Sequence, residues 1–160
     1  MIFKTADLCD DHEGKVSVAE PLFADFGGNI SFCGKIYTIK CFEDNSLVRE
    51  ALKSPGEGRV LVIDGGGSIR RALVGDLLAQ AGADNNWSGI VVNGCIRDSA
   101  VIATINIGCK ALGTLPMKTD KKGVGEKELT VHFADVDFIP GDYLYADEDG
   151  IIVSAENLLA

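Results

Sequence analysis

The sequence predicts a single α/β domain with a mixed sheet, and three features carry that expectation. The apolar run Val60-Leu61-Val62-Ile63, a helical pattern opening at Gly75 and a second apolar run, Gly89-Ile90-Val91-Val92, give the middle of the chain a β-α-β rhythm. The back half is rich in short strand patterns separated by Pro-Gly-Asp and Asp-Glu-Asp-Gly turns. A chain of 160 residues, 46% of them apolar, is long enough for one domain with a real core, and no repeat or linker divides residues 1–160.

Taken in order, Thr5-Ala6-Asp7-Leu8-Cys9-Asp10 reads as a short capped helix, and Glu20-Pro21 and Gly27-Gly28 as turns. From Ile30 to Phe42 the composition turns to β, in one run broken by Gly34. Asp44-Asn45-Ser46 reads as the N-cap of a helix to about Lys53, stopped by Pro55-Gly56. Val60 to Ile63, without polar alternation, has the pattern of a strand buried on both faces. It runs into Asp64-Gly65-Gly66-Gly67-Ser68, a loop needing unusual dihedrals or close backbone approach. A helix from Gly75 to about Gly82, a polar turn at Asn85-Asn86-Trp87 and the Gly89 strand follow, ending on Asn93-Gly94-Cys95-Ile96-Arg97-Asp98. Beyond lie a short helix (about Ser99–Thr104), a strand (Ile107–Leu112) and a polar Lys/Gly loop (Thr114–Glu128). A strand over Leu129–Phe138, a turn at Pro140-Gly141-Asp142, strand Tyr143-Leu144-Tyr145, a hairpin turn at Asp147-Glu148-Asp149-Gly150 and strand Ile151-Ile152-Val153 close the chain.

The charge balance narrows the functions. With 15 basic and 24 acidic residues the net charge is −9, the wrong sign for gripping a phosphate backbone. The one basic run, Lys118, Lys121 and Lys122, is interrupted by Asp120, so no direct nucleic acid binding is expected. Five cysteines without a C-x-x-C pair, and only His12 and His132 beside them, argue against a zinc site. No leader pattern opens the chain and no apolar run approaches membrane-spanning length, so the expected location is cytoplasmic, with no membrane partner.

The chemistry concentrates between Gly75 and Asp98. Gly75-Asp76-Leu77-Leu78 reads either as ordinary helix interior, with Leu73, Leu77 and Ala81 on one face, or as a helix start with amides free for an anion. Arg97-Asp98 likewise has two readings. Asp98 caps the following helix beside a surface arginine, or the pair stands at the carboxyl end of a buried strand, where α/β sheets place ligands. In the second case one carboxylate supplemented by waters suits Mg²⁺ or Mn²⁺, and the guanidinium offers a charge that does not titrate away. Amides for a carboxylate, a cation for developing negative charge and an acid for a metal together suit a small keto-acid substrate. Asp64 to Ser68 lacks the ending of a P-loop and reads as a tight turn beside the site. Asp147 to Asp149 lacks EF-hand spacing and reads as a solvated hairpin tip, and Cys95 has no nearby histidine to make it a nucleophile.

Several segments then resemble one family over essentially the whole length: Asp7-Leu8-Cys9-Asp10, Phe26-Gly27-Gly28, Lys40-Cys41-Phe42-Glu43-Asp44-Asn45, Asp64-Gly65-Gly66-Gly67-Ser68, Pro140-Gly141-Asp142 and Tyr145-Ala146-Asp147. The chain is similar to the regulators of ribonuclease activity A, the RraA-like family, which includes class II 4-hydroxy-4-methyl-2-oxoglutarate aldolases. That resemblance implies a fold of the swivelling β/β/α kind with mixed sheets, assembled as a homotrimer with sites near subunit boundaries. Its enzyme branch carries a glycine-led turn about twenty residues before an Arg-Asp pair, matched here by Gly75-Asp76-Leu77-Leu78 and Arg97-Asp98, and an acid three positions later, where this chain has Val101. The implied activity is cleavage of 4-hydroxy-4-methyl-2-oxoglutarate to two pyruvates through a pyruvate enolate, with oxaloacetate decarboxylation as a secondary activity. Asp98 is the implied holder of Mg²⁺ or Mn²⁺, and Gly75, Asp76, Leu77, Leu78 and Arg97 the substrate-binding set. Arg97 and Asp76 are the catalytic candidates, with no Schiff-base lysine. The alternative is a non-catalytic regulator that binds and inhibits ribonuclease E.

Overall fold

A strand buried on both faces, Val60–Asp64 (β4), lies inside the main sheet between Phe32–Lys40 (β3) and Gly89–Ile96 (β6) and runs parallel to both. The computed structural model describes residues 2–160. Gly108–Thr114 (β7) extends the parallel part beyond β6, and the short Ala24–Asp25 (β2) closes that edge antiparallel to β7. On the other side β3 pairs antiparallel with Tyr143–Asp147 (β11), then come Gly150–Ser154 (β12) and the two-residue edge Ser17–Val18 (β1). Ala72–Val74 (β5) pairs parallel with the end of β6, and Glu126–Lys127 (β8) pairs antiparallel with β3. A separate hairpin joins Val131–Phe133 (β9) to Val136–Phe138 (β10).

The sheet is covered on both faces, which explains the unbroken apolar run in β4. Leu61 and Ile63 face a core built with the helices Ser46–Leu52 (α2), Asp76–Asp84 (α3) and Ser99–Ile102 (α4). Val60 and Val62 face a second core with the β9–β10 hairpin and the curled β11–β12 ribbon. A smaller third cluster seats the helix Thr5–Asp11 (α1) through Leu8 against Tyr145 and Ile152. Together these give a single α/β domain with a curled mixed sheet, as the sequence leads one to expect. Among the described residues no helix is long and apolar enough to cross a membrane.

The topology around the end of β6 positions the candidate site. β4 stays beside β6 only as far as Asn93, where the chain turns through Gly66 and Gly67, both at positive φ (67° and 72°). The Asn93 carbonyl accepts the N–H groups of Gly65 and Gly67, and its side-chain amide donates to the Asp64 carboxylate. β5 then takes the vacated place, pairing Ala72 with Cys95 and Val74 with Ile96. Two different connections are thereby launched side by side from the carboxyl ends of parallel strands.

Two expectations are corrected here, and one open choice is decided in favour of the helix start. Leu129–Phe138 is a tight hairpin, not one strand, because Ala134 and Asp135 both adopt positive φ (52° and 60°), the conformation of a two-residue I′ turn. Leu73 and Val74 belong to β5, not to a helical face, and the helix begins at Asp76 with Gly75 as its extended N-cap. Asp147 is no solvated tip. It is buried, accepts the Thr5 N–H (2.7 Å) and hydroxyl (2.6 Å), and so ties the start of α1 to the sheet.

Phe32, at the start of β3, lies over Gly89 and Gly108, and a Cβ at either glycine would overlap its ring. Phe32 is itself buried, so the ring has little space to retreat into. Gly108→Ala is expected to destabilise the fold by about 1–3 kcal/mol through overpacking. Equilibrium urea unfolding checks this, and an unchanged midpoint would show that the ring moves freely.

Candidate active site

The helix α3 has a glycine where most helices carry a capping side chain, and no side chain of its own N-cap serves its first amides. The role is filled from the neighbouring connection. Asp98, one residue beyond Arg97, accepts the Asp76 N–H on Oδ2 at 3.0 Å. The Leu77 N–H is held by the Asp76 carboxylate itself at 2.9 Å. Two of the amides expected to be open to a ligand are thus engaged by the chain's own carboxylates, while no hydrogen bond engages the N–H of Leu78 among the described residues. Gly75 is required by this crossing, since a Cβ there would stand 2.8 Å from Asp98 Oδ2 and 3.4 Å from Arg97 Nε.

Asp98 stands at the N-cap position of α4 but its side chain makes no capping hydrogen bond there, so the simpler of the two sequence readings is set aside. Its backbone adopts the left-handed region (φ 57°), which turns the carboxylate back toward α3 while its carbonyl accepts the N–H groups of Val101 and Ile102. The hydrogen bond from the Asp76 amide, with the neighbouring Arg97 charge adding to it, holds the Asp98 carboxyl below the usual carboxylate range. Arg97 Nε lies 4.0 Å from Asp98 Oδ2, and Nη1 reaches the Pro116 carbonyl at 3.4 Å. With side chains 40% and 38% exposed, this pair contributes little to stability, so its geometry is available for ligand chemistry.

These groups share one cavity of about 300 Å³. Gly75, Asp76, Leu77, Leu78, Arg97 and Asp98 all line it, so every candidate residue from the sequence is brought to one place. Val101 is exposed on α4 and is not part of the lining. The Asp64–Ser68 loop forms the tight turn described above and also contributes nothing to the lining. Cys95 is buried, and burial pushes its thiol up, away from nucleophilic use.

Sequence reasoning missed a second group of lining residues: Arg49 from α2 and Lys53 at its C-cap, and Lys118 and Lys121 from the loop after β7. Arg49 and Lys53 are four apart and share one helix face, a spacing that was readable. The two lysines belong to the sparse basic run, whose destination the sequence does not reveal. Their loop is tied down from beneath. Asp44 accepts the Lys122 and Val124 N–H groups (2.9 and 3.1 Å) and the Ser46 N–H and hydroxyl (2.9 and 2.6 Å). Asn45 takes the Thr119 hydroxyl at 2.8 Å and donates to the Leu73 carbonyl at 3.0 Å, linking loop, helix and β5.

The donor set decides which metals fit. Among the described residues no group of three or more His, Cys, Asp or Glu side chains could by itself hold an ion, which disfavours a zinc-like site. A largely hydrated Mg²⁺ or Mn²⁺ asks the protein for only one or two carboxylates. Asp98 fits that demand, since one amide hydrogen bond leaves most of its accepting capacity open.

Comparison with known proteins was consistent across sequence and structure. A family model described as RraA-like, Aldolase/RraA, matches residues 5–153. Proteins of Aromatoleum aromaticum (55% identical, covering 99% of this chain and 100% of the relative) and Ectopseudomonas mendocina (58%, 99% and 98%) are each named "Putative 4-hydroxy-4-methyl-2-oxoglutarate aldolase". The solved RNA-processing inhibitor RraA from Thermus thermophilus superposes with a TM-score of 0.94 at 40% identity, covering 98% of this chain and 94% of the other. A Geobacillus kaustophilus structure described as an S-adenosylmethionine:2-dimethylmenaquinone methyltransferase has the same TM-score of 0.94 at 47% identity, covering 98% of both chains.

Burial pushes the Asp44 carboxyl up, but hydrogen bonds from Ser46, Val124 and Lys122 prevail and bring it down to about 2. An aspartate in the unfolded chain titrates near ~3.9, so the anchor stabilises fully above that value and is lost as pH falls toward 2. Asp44→Asn is expected to lose about 1–3 kcal/mol at pH 7, an effect that shrinks as wild type is acidified through this window. Urea titrations of both proteins between pH 7 and pH 2 test it, and a constant difference would rule out the charged anchor.

Proposed function

Because the chain belongs to the RraA-like family, we propose that it is a divalent-metal-dependent aldolase cleaving 4-hydroxy-4-methyl-2-oxoglutarate to two pyruvates, with secondary oxaloacetate decarboxylase activity. The naming of relatives at 55–58% identity supports an aldolase-type lyase. The observation that carries the finer reading is the convergence of Arg97, Asp98 and the start of α3 on one cavity.

Each residue then has a task that its position permits. The substrate's keto-acid end lies against the start of α3, where its 1-carboxylate meets the Leu78 N–H and the positive end of the helix. The 2-keto oxygen faces Arg97, whose guanidinium keeps its charge at any working pH. Asp98 would hold Mg²⁺ or Mn²⁺, which would supply Lewis-acid polarisation of the keto group. Asp76 accepts the proton of the substrate's 4-hydroxyl through a water. As that proton leaves, the C3–C4 bond breaks, its electron pair moves onto the 2-keto oxygen, and C4 departs as the carbonyl of one pyruvate. The other fragment is pyruvate enolate, whose oxygen Arg97 stabilises more strongly than the neutral ketone. Return of the proton to C3 releases the second pyruvate. Oxaloacetate would lose CO₂ to the same enolate.

The working form proposed is a cytoplasmic homotrimer. Beside the cavity Leu77 and Met117 are 80% and 54% exposed, apolar surface of the kind a neighbouring subunit covers. A second reading, a non-catalytic protein that binds and inhibits ribonuclease E, draws support from the 40%-identical RraA structure and from a net charge of −9 that could face a basic partner.

Pyruvate release, followed with lactate dehydrogenase and Mg²⁺, separates these readings. Arg97→Ala is expected to lower kcat/KM by roughly 10²–10³-fold, as removal of an oxyanion donor does. Asp98→Ala and metal chelation should abolish turnover, and borohydride with pyruvate should trap no adduct. Pyruvate release by wild type that withstands chelation would defeat the metal-dependent reading. A wild type inert toward keto acids that still inhibits ribonuclease E would establish the second.

A further inference from the structure

The cavity's charge runs against that of the chain. Its lining carries five cations, Arg49, Lys53, Arg97, Lys118 and Lys121, against two carboxylates, Asp76 and Asp98, in a protein with a net charge of −9. Arg97 is accounted for at the keto-acid end. The other four make no ion pair among the described residues. Glu50, the acid next to Arg49, turns instead to Lys127 at 3.2 Å. The carrying backbone is secured by Asp44, by the Asn45–Thr119 pair and by Arg71, whose Nη1 holds the Lys118 carbonyl at 3.1 Å. Uncompensated cations on fixed backbone around a concave space attract and orient an anion.

We propose that Arg49, Lys53, Lys118 and Lys121 form a second anion subsite, selecting keto acids that carry a further carboxylate remote from the keto group. This rests on the keto-acid reading above and adds to it which residues choose the substrate. A monocarboxylic keto acid would fill the Arg97–Asp98 end and leave four cations facing solvent. A dicarboxylic one brings the missing charge, which also assists its approach to an otherwise acidic protein. The subsite acts on substrate binding and touches no bond that breaks.

Calorimetric titration in Mg²⁺ with 2-oxoglutarate and 2-oxopentanoate, which share a five-carbon keto-acid chain and differ by one carboxylate, provides the test. Wild type is expected to bind 2-oxoglutarate at least about tenfold more tightly, a preference that shrinks in 0.5 M NaCl as the ions are screened. In the variant Arg49→Gln/Lys53→Gln/Lys118→Gln/Lys121→Gln the ratio should fall to within about threefold, while Arg49→Lys alone should retain it. If the fourfold variant fails to fold, Lys53→Gln/Lys121→Gln, at two exposed positions, should still cut the ratio by at least about threefold. Equal binding of the two acids by wild type, or a preference that survives loss of the four charges, overturns the subsite and leaves the lyase reading standing. Failure of wild type to bind either acid overturns the keto-acid reading and the subsite with it.

Discussion

The candidate site depends on one short piece of parallel pairing. β5 has three residues, yet its alignment with the last turn-ward residues of β6 sets Gly75 and Arg97 side by side. The Arg97 N–H donates to the Val74 carbonyl at 2.9 Å, so the ladder continues into the loops themselves. β4 has to leave β6 for this to happen, and the Asn93 contacts with Asp64, Gly65 and Gly67 are what peel it away. The left-handed turn at Asp98 then aims its carboxylate back across the gap to the first amide of α3. Strand pairing, glycine turn and helix cap are consecutive consequences of this short pairing, whose register shifts between Ala72 and Val74.

A second constraint is electrostatic. An acidic chain gains solubility from self-repulsion but works against capture of an anionic substrate. The fold meets this by drawing cations from α2 and from the loop after β7 toward the same space as Arg97. Asp44 and Asn45, themselves buried, spend their hydrogen-bonding capacity on that loop rather than on catalysis. A low carboxyl pKa at Asp44 is the mark of this structural task, and it shows why a perturbed acid near a cavity is not by itself a catalytic one.

Much of this was legible in the sequence. The unbroken apolar run of β4 announced burial on both faces, and the six residues singled out between Gly75 and Asp98 all line the cavity. What stayed hidden has physical reasons. Leu73-Val74 fits a helical face with Leu77 and Leu78 as well as it fits a three-residue strand, and only the pairing with β6 decides between them. Ala134 and Asp135 are not the Asn-Gly that advertises a tight hairpin, so positive φ there is imposed by packing of the hairpin on the sheet. Asp147 looked solvated because its partner, Thr5, is supplied from the other end of the chain. Lys118 and Lys121 were visible as charges, but their destination depends on the tie from Asp44 across more than seventy residues.

The double engagement of Asp98 has a consequence for how the site would work. One carboxylate both caps α3 and presents the oxygen suited to a hydrated divalent ion. The cap fixes the orientation of the carboxylate and keeps it ionised, so its negative charge is in place before any cation arrives. Drawing the carboxylate toward an ion would weaken its bond to the Asp76 amide and return that N–H to the group able to accept it, the substrate's own carboxylate. In the proposed reaction that amide, held by Asp98 in the free protein, would become available when metal and substrate enter together. A serine at position 75 could cap the helix conventionally, but any Cβ there collides with Asp98 Oδ2, and the amide would be satisfied permanently. Glycine at the helix start thus leaves the cap to Asp98 from the neighbouring connection, as the proposed anion site would require.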